Sequence, residues 1–89
     1  MQFAEGRITV LSKLKTGKKL VGLNQCRKAV NDGSASVVFV AEDSEYRIRL
    51  SLLELCKANN VETVSVPTMR DLGTACGIEV GAAAAVLLK

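Results

Sequence analysis

The chain has 89 residues, 48% of them hydrophobic, which suits one compact domain rather than two. Two phenylalanines and one tyrosine are its only aromatic residues and histidine is absent, so the core must be aliphatic and the commonest general base and metal ligand are excluded. The formal net charge is +3, and seven basic residues with no acidic one lie between Gly6 and Asn31, a separation that favours a polyanion partner on one face.

Hydrophobic periodicity predicts eight elements in which helices and strands alternate. The first helix is the clearest case, because Ile8, Leu11 and Leu14 recur at helical spacing before Gly17 ends the pattern. In chain order the predicted elements are a helix over about residues 4–15, a strand at 19–21, a helix between Asn24 and Gly33, a strand at 36–40, a helix between Ser44 and Asn59, a strand at 63–66, a helix between Thr68 and Gly77, and a strand at 81–88.

Start signals for the helices come from polar residues at their ends. Asn24 is predicted to be the N-cap of the second helix. Glu42 and Asp43 are predicted to open the third helix and to place negative charge at its positive end. Thr68 is predicted to cap the fourth helix, with Asp71 in the position of a capping-box acid.

The last segment, residues 81–88, fits two kinds of structure. Its four alanines favour a helix by propensity. Its short length, its β-branched valine and the alternating order of elements favour a strand, which we predict. The order α-β-α-β-α-β-α-β then predicts an α/β fold, a three-layer α-β-α sandwich with a four-stranded mixed sheet in a single domain.

The three cysteines, Cys26, Cys56 and Cys76, are widely spaced among apolar residues and include no CxxC pair. We expect small buried side chains in a reducing compartment, which predicts a cytoplasmic protein. The longest apolar run, residues 80–88, is about half of what a membrane span needs, so no membrane association is expected. No metal or cofactor site is predicted.

Residues 22–28, Gly-Leu-Asn-Gln-Cys-Arg-Lys, carry the most specific chemical signal. Asn24 and Gln25 lie four and three residues before Lys28, so the three side chains share one face of a helix. Two amides and a cation suit the edges of nucleic-acid bases, and they suit no obvious hydrolytic or redox chemistry. We therefore predict a surface that reads RNA or DNA. Charge alone would fit a solvated basic helix equally well.

Two blocks of the sequence resemble motifs of a known family. Residues 22–28 are similar to Gly-x-Asn-Glu-x-x-Lys, and residues 72–80, Leu-Gly-Thr-Ala-Cys-Gly-Ile-Glu-Val, are similar to Leu-Gly-x-Ala-x-Gly-Ile-Glu-Val. Together they resemble the kink-turn-binding ribosomal proteins of the seven-Ae type and their small bacterial relatives. The resemblance implies a single RNA-binding domain over residues 1–89. Its implied ligand is a kink-turn, an RNA duplex bent sharply at a bulge beside tandem sheared G·A pairs.

The first block implies contacts with the G·A pairs. By resemblance, Asn24, Gln25 and Lys28 would enter the opened groove of the kinked RNA and hydrogen-bond to base edges. Gly22, which lacks a Cβ, would let the backbone approach the RNA closely. Gln25 stands where the archaeal members have Glu. It keeps an acceptor for a guanine edge but loses the charge that strengthens such a bond, so weaker binding is expected.

The second block implies a contact with the flipped-out nucleotide of the bulge. By resemblance, Ile78, Glu79 and Val80 would form the loop that meets this nucleotide, with apolar contact from the isoleucine and the valine. Lys18 and Lys19 precede the first block by one strand, and we expect them to meet phosphates.

The implied partner is a structured RNA, ribosomal or regulatory, bound by a monomer without a small-molecule substrate. A protein-interaction module of the same fold is an alternative, because fold alone does not determine function. An enzyme with Cys26 or Cys76 as nucleophile is a weaker alternative, because no histidine is available to activate a thiol. Tyr46, Arg47 and Arg49 are distant in sequence from both blocks and are expected to form a solvated helix face.

Overall fold

Strands and helices alternate along residues 17–89, the part of the chain that a computed structural model describes. The helix predicted over residues 4–15 lies outside these residues, and the order of the other seven elements is confirmed. They are β1 (Lys19–Val21), α1 (Leu23–Asp32), β2 (Ala35–Ala41), α2 (Tyr46–Ala58), β3 (Glu62–Val66), α3 (Met69–Cys76) and β4 (Ala84–Leu88).

The four strands form one mixed sheet in the order β1-β4-β2-β3. Strand β4 lies antiparallel to both β1 and β2, while β3 lies parallel to β2. The predicted mixed four-stranded sheet is therefore confirmed, and the ambiguous last segment is a strand. It begins at Ala84 rather than Gly81, because the backbone N–H of Ala82 donates to the carbonyl oxygen of Met69, 2.9 Å away, instead of joining the sheet.

Helices cover both faces of the sheet, as a three-layer sandwich requires. Alternate residues of β2 point to opposite faces, so Val38 packs beneath α1 and α2 while Phe39 packs beneath α3. The core beneath α1 and α2 includes Leu52, and the core beneath α3 includes Leu72. The predicted α-β-α architecture is confirmed by these two separate cores.

Helix α1 begins two residues earlier than predicted, and the N-cap prediction for Asn24 is wrong. The N-cap is Gly22, whose φ of 116° lies in the region that favours glycine, and no side-chain cap hydrogen bond is made there. The carbonyl oxygen of Gly22 accepts the first helical hydrogen bond from the N–H of Cys26 at 3.0 Å. This start places Asn24 inside the first turn, with its side chain exposed.

Helix α2 also begins elsewhere than predicted. Its N-cap is Glu45 and its first turn holds no acidic residue, so the expected acidic start at Glu42 and Asp43 is wrong. These residues instead form a turn, because the hydroxyl of Ser44 donates to the carbonyl oxygen of Ala41 at 2.6 Å and keeps the backbone from entering the helix there.

The N-terminus of α3 is held by two side chains. The predicted cap is confirmed, since Thr68 Oγ1 accepts from the N–H of Asp71 at 3.0 Å. A second acceptor comes from a distant part of the sequence: Asp43 Oδ1 accepts from the N–H of Met69 at 2.7 Å. The turn after β2 is thereby tied to the start of α3.

Candidate nucleic-acid interface

One edge of the sheet gathers the ends of several elements. Strands β1, β2 and β3 all end where β4 begins: the N–H of Gly22 donates to Ala84 O at 2.9 Å, and the N–H of Ala41 donates to Ala83 O at 2.9 Å. Helices α1, α2 and α3 each start at this same edge. We name it the helix-start edge and define it by residues 22–25, 42–46, 66–69 and 77–83.

Helix N-termini and carboxylates share the helix-start edge, whose defining residues include Glu42, Asp43, Glu45 and Glu79 and no lysine or arginine. Three helix N-termini place partial positive charge there. In open α/β sheets, ligands bind beyond the carboxyl ends of parallel strands, and here β1, β2 and β3 run in the same direction toward the edge.

The amide and lysine side chains of the first block point outward from α1. Cys26 and Ala29 are buried against the sheet, which turns the opposite face of the helix to solvent. Asn24, Gln25 and Lys28 are all exposed on it. The predicted sharing of one face is therefore what the structure shows.

Gly22 has a conformational role in the structure. Its φ of 116° strains any residue with a side chain, whereas a Cβ built there meets no atom within 4 Å. The position therefore requires glycine for the turn from β1 into α1. Close approach to RNA, which the resemblance implies, stays a prediction.

The loop of the second block lies against α3 and depends on a helical glycine. A Cβ on Gly73 would collide with the backbone carbonyl oxygen of Val80 and would lie 3.2 Å from the Cα of Gly81. The N–H of Ile78 donates to the carbonyl oxygen of Gly73 at 3.0 Å. Because Gly73 has no side chain, the loop can cross α3 with its backbone in contact with the backbone of the helix.

The three loop residues differ in exposure. Ile78 is half-buried and packs on the core beneath α3. Glu79 is exposed, and Val80 is 70% exposed although it is a large apolar residue. Val80 therefore presents apolar surface at the edge, with Ile78 supporting the loop from below.

Both blocks contribute residues to the helix-start edge, at 22–25 and 77–80, while the two lysines before them do not. The hydrogen bond from Gly22 to Ala84 joins the start of α1 to the residue that follows the loop. Lys18 instead accepts, through its carbonyl oxygen, from the N–H of Leu88 at 2.9 Å, and Lys19 is paired with Leu87. They lie near the far end of β4, about 13 Å along the strand from Ala84.

The first turn of α2 belongs to the helix-start edge, which the sequence did not reveal. Tyr46 begins this helix and is 64% exposed, and the guanidinium carbon of Arg49 lies 5.6 Å from the centre of its ring. Sequence separation concealed the relation, because only the sheet brings the ends of β1 and β2 to the same side, with β4 between the two strands. An exposed aromatic residue at a predicted helix start was the one available signal.

The cysteines are buried, as predicted. Burial raises the pKa of the Cys26 thiol to about 12, and burial likewise raises the pKa of Cys56 and of Cys76. These thiols are therefore protonated at neutral pH and are poor nucleophiles. Residues 17–89 contain no group of three or more Cys, Asp or Glu side chains that could hold a metal ion. They also contain no helix long and apolar enough to cross a membrane.

Comparison with known proteins determines the family. Residues 5–89 match the ribosomal protein L7Ae/L30e/S12e/Gadd45 family. The chain belongs to this family. It is 41% identical over 76 residues to an RNA-binding protein of Geobacillus sp. (strain WCH70), a match that spans 85% of this chain and 93% of the relative.

Two further relatives agree with the family assignment. The large ribosomal subunit protein eL8 of Halobacterium salinarum is 45% identical over 74 residues, which cover 82% of this chain and 62% of that protein. The solved structure of the Giardia lamblia 15.5kD RNA binding protein superposes with a TM-score of 0.87 at 30% identity, covering 96% of this chain and 75% of that one. The fold and the family of the described domain are thus the same as those of these proteins.

Proposed function

We propose that this member of the L7Ae/L30e/S12e/Gadd45 family is a non-enzymatic RNA-binding protein that recognises and stabilises kink-turn RNA. Two relatives are named RNA-binding proteins and a third is a ribosomal protein. The observation that supports the proposal is the hydrogen bond from Gly22 to Ala84, which brings the start of the amide-lysine face of α1 to within four residues of the exposed loop at 78–80. One bent RNA can then contact both.

The face of α1 would read the tandem G·A pairs. An undistorted RNA duplex hides its base edges in a deep, narrow major groove, whereas a kinked and bulged site exposes them. Carboxamides such as those of Asn24 and Gln25 offer both a donor and an acceptor to a purine edge, and Lys28 offers donors with a positive charge. The exposure of all three side chains leaves them accessible to such a ligand.

The loop at 78–80 would hold the flipped-out nucleotide of the bulge. Val80 supplies an exposed apolar surface for a base, and Glu79 is placed beside it with free acceptor oxygens. Ile78 is half-buried under the loop, so its part in the contact is chiefly to fix the loop on the core. Gly22 would permit the backbone to lie near the RNA.

Lys18 and Lys19 would contact a different part of the same ligand. They lie near the end of β1 that is opposite to the helix-start edge, so they would meet the ligand away from the residues of both blocks. A helical arm of the RNA running along the outer strand β1 would bring its phosphates to them. Each neutralised phosphate steepens the dependence of log affinity on log salt by roughly 0.7 to 0.9.

The mechanism would be selective binding of the bent conformer. A free kink-turn duplex exchanges between extended and bent forms, and a protein that contacts only the bent form shifts the population towards it. The ligand in the cell would be a ribosomal or regulatory RNA of the cytoplasm, bound by one copy of the chain.

The direct test compares two RNA duplexes in a gel shift. One is a kink-turn, and the other has its tandem G·A pairs replaced by Watson–Crick pairs. We expect strong preference for the kink-turn, and equal affinity for the two duplexes would reject the proposal.

Single substitutions should localise the contact. Gln25→Ala and Lys28→Ala should each weaken the kink-turn complex by about tenfold, the usual size of a lost base contact. Lys57→Ala is the matched control, because Lys57 lies in the last turn of α2, away from the helix-start edge, and removes the same charge. It should leave the affinity within about twofold.

A further inference from the structure

The first two turns of α2 form an exposed aromatic and basic surface that the proposed contacts leave unused. Tyr46 is 64% exposed, and Arg47 is exposed beside it. From Tyr46 to Leu53 the helix contains two arginines and no acidic residue, and the exposed Glu45 and Glu54 flank this stretch. An aromatic ring this exposed contributes little to folding, because most of its surface stays in water.

The ring of Tyr46 is partly ordered before any ligand arrives. The guanidinium of Arg49 lies over it, 5.6 Å from the ring centre, and the same guanidinium donates to the carbonyl oxygen of Glu42. Arg49 thus contacts both the turn before α2 and the ring of Tyr46. One ring face is covered by this cation while the rest of the ring remains exposed.

This surface continues the amide-lysine face of α1. Arg27 Nη2 donates to Ser51 Oγ at 3.0 Å, which fixes the register of the two neighbouring helices. Asn24 lies three residues before Arg27 on α1, and Arg47 lies four residues before Ser51 on α2. Asn24 and Arg47 are therefore each one turn closer to the helix-start edge, along the groove between the two helices. The first turns of α1 and α2 are therefore side by side.

We infer that Tyr46 stacks on an unpaired base of the bound RNA and that Arg47 contacts an adjacent phosphate. Stacking on an aromatic side chain is available to any unstacked base, and arginine suits phosphate geometry. RNA is favoured over a protein partner by the two arginines and by the continuity with the α1 face. The inference rests on the proposed function and extends it to a second element.

Tyrosine fluorescence gives a direct readout, because Tyr46 is the only tyrosine and the chain has no tryptophan. The wild-type protein is titrated with the kink-turn duplex, and N-acetyltyrosinamide at the same RNA concentrations corrects for absorption. We expect the emission to fall as the complex forms. Saturated binding in the gel shift with unchanged emission would overturn the inference.

Substitutions supply an independent readout. Tyr46→Ala should weaken kink-turn binding by about tenfold, while Tyr46→Phe, which keeps the ring, should stay within about twofold of wild type. Leu50→Ala is the control, because Leu50 is an exposed apolar residue one turn further along the same helix. Arg47→Ala should make the salt dependence shallower by roughly 0.7 to 0.9. Wild-type affinity in Tyr46→Ala would contradict stacking.

Failure of this inference is distinguishable from failure of the proposed function. If the wild-type protein binds the kink-turn and the Watson–Crick control equally, kink-turn recognition is rejected. If it prefers the kink-turn and Tyr46→Ala keeps both the affinity and the preference, only the role of Tyr46 is rejected.

Discussion

Gly22 and Gly73 serve the helix-start edge for different physical reasons. At Gly22 the backbone conformation decides, because φ is 116° and there is open space where a side chain would be. At Gly73 space decides, because the position is helical and a Cβ would enter the backbone of Val80 and Gly81. The two glycines therefore respond differently to substitution, although each lies in one of the two sequence blocks.

Gly73→Ala should destabilise the domain and displace the loop. Alanine gains helix propensity of about 1 kcal/mol over glycine. A clash with backbone atoms cannot be relieved by rotating a side chain, and overpacking of this kind costs about 1–3 kcal/mol. We therefore expect a net loss in the free energy of unfolding, measured in urea, and weaker binding of the kink-turn.

Thr74→Ala is the matched control for this substitution. Thr74 is the next residue of α3, is exposed, and loses atoms rather than gaining them. Its free energy of unfolding should be unchanged or slightly higher. A Gly73→Ala protein as stable as Thr74→Ala would show that the loop is not held against the helix as described.

For individual residues, the sequence predicted the exposure of side chains better than it predicted their roles. The exposure of Asn24, Gln25 and Lys28 followed from helical spacing. The N-cap role of Asn24 was wrong because a glycine two residues earlier adopts a positive φ and starts the helix first. Tyr46 was assigned to a solvated face because its neighbours on α1 are distant in sequence and come close to it only in the folded structure.

Among the elements, α3 is the one whose position most depends on its N-terminus. It has eight residues, too few for a stable helix in isolation. Its first turn is held by Thr68 within the local sequence and by Asp43 from the turn after β2. Since the loop at 78–80 rests on this helix, the start of α3 sets the geometry of half of the proposed interface.

Thr68→Ala should cost about 1 kcal/mol, the usual effect of removing an N-cap side chain. The hydroxyl is lost, and the N–H of Asp71 at 3.0 Å is left to water. For a domain of this size the loss corresponds to a fall of about 5 °C in Tm, measured by circular dichroism.

Thr68→Ser keeps the hydroxyl and should retain most of the stability. If Thr68→Ser and Thr68→Ala melt together, well below wild type, the methyl group rather than the cap would account for the loss. That result would contradict the capping role.

Local patterns predicted the elements because hydrophobic periodicity and glycine C-caps act within a few residues. Gly33 and Gly77 end their helices, as predicted, and the structure shows both in the left-handed conformation. The contact of Asp43 with Met69 could not be predicted in this way, because it joins residues 26 positions apart. Asp43 was therefore assigned to the wrong helix.

At the scale of the molecule, Lys18 and Lys28, two basic residues of the part of the chain that the structure describes, lie in different places. Lys28 lies on α1 within one turn of the helix-start edge, whereas Lys18 lies near the far end of β4. The sequence showed only that basic residues are concentrated before Asn31, and the sheet register was needed to separate them. In the proposed complex a long RNA would contact both Lys28 and Lys18, whereas a short RNA would contact only Lys28.

Lys18→Ala should therefore change the salt dependence of binding only when the RNA is long enough. With an extended helical arm, the slope of log affinity against log salt should become shallower by roughly 0.7 to 0.9. With the arm truncated, the slope should match that of wild type. Filter binding at several salt concentrations measures both.

Lys57→Ala controls for a general loss of charge, because its lysine also lies outside the helix-start edge. Equal slopes for Lys18→Ala and wild type on the extended arm would remove Lys18 from the proposed interface. They would leave the contacts of α1 and of the loop at 78–80 untouched.

The central place of β4 in the sheet has a consequence for synthesis. Without residues 84–88, β1 has no partner and β2 pairs only with β3, because β4 joins them. During translation the sheet therefore cannot close until this segment has left the ribosomal exit tunnel, and the pairing of β1 with β4 spans most of the chain. A nascent chain halted before Ala84 would lack both the completed sheet and the residue that anchors Gly22.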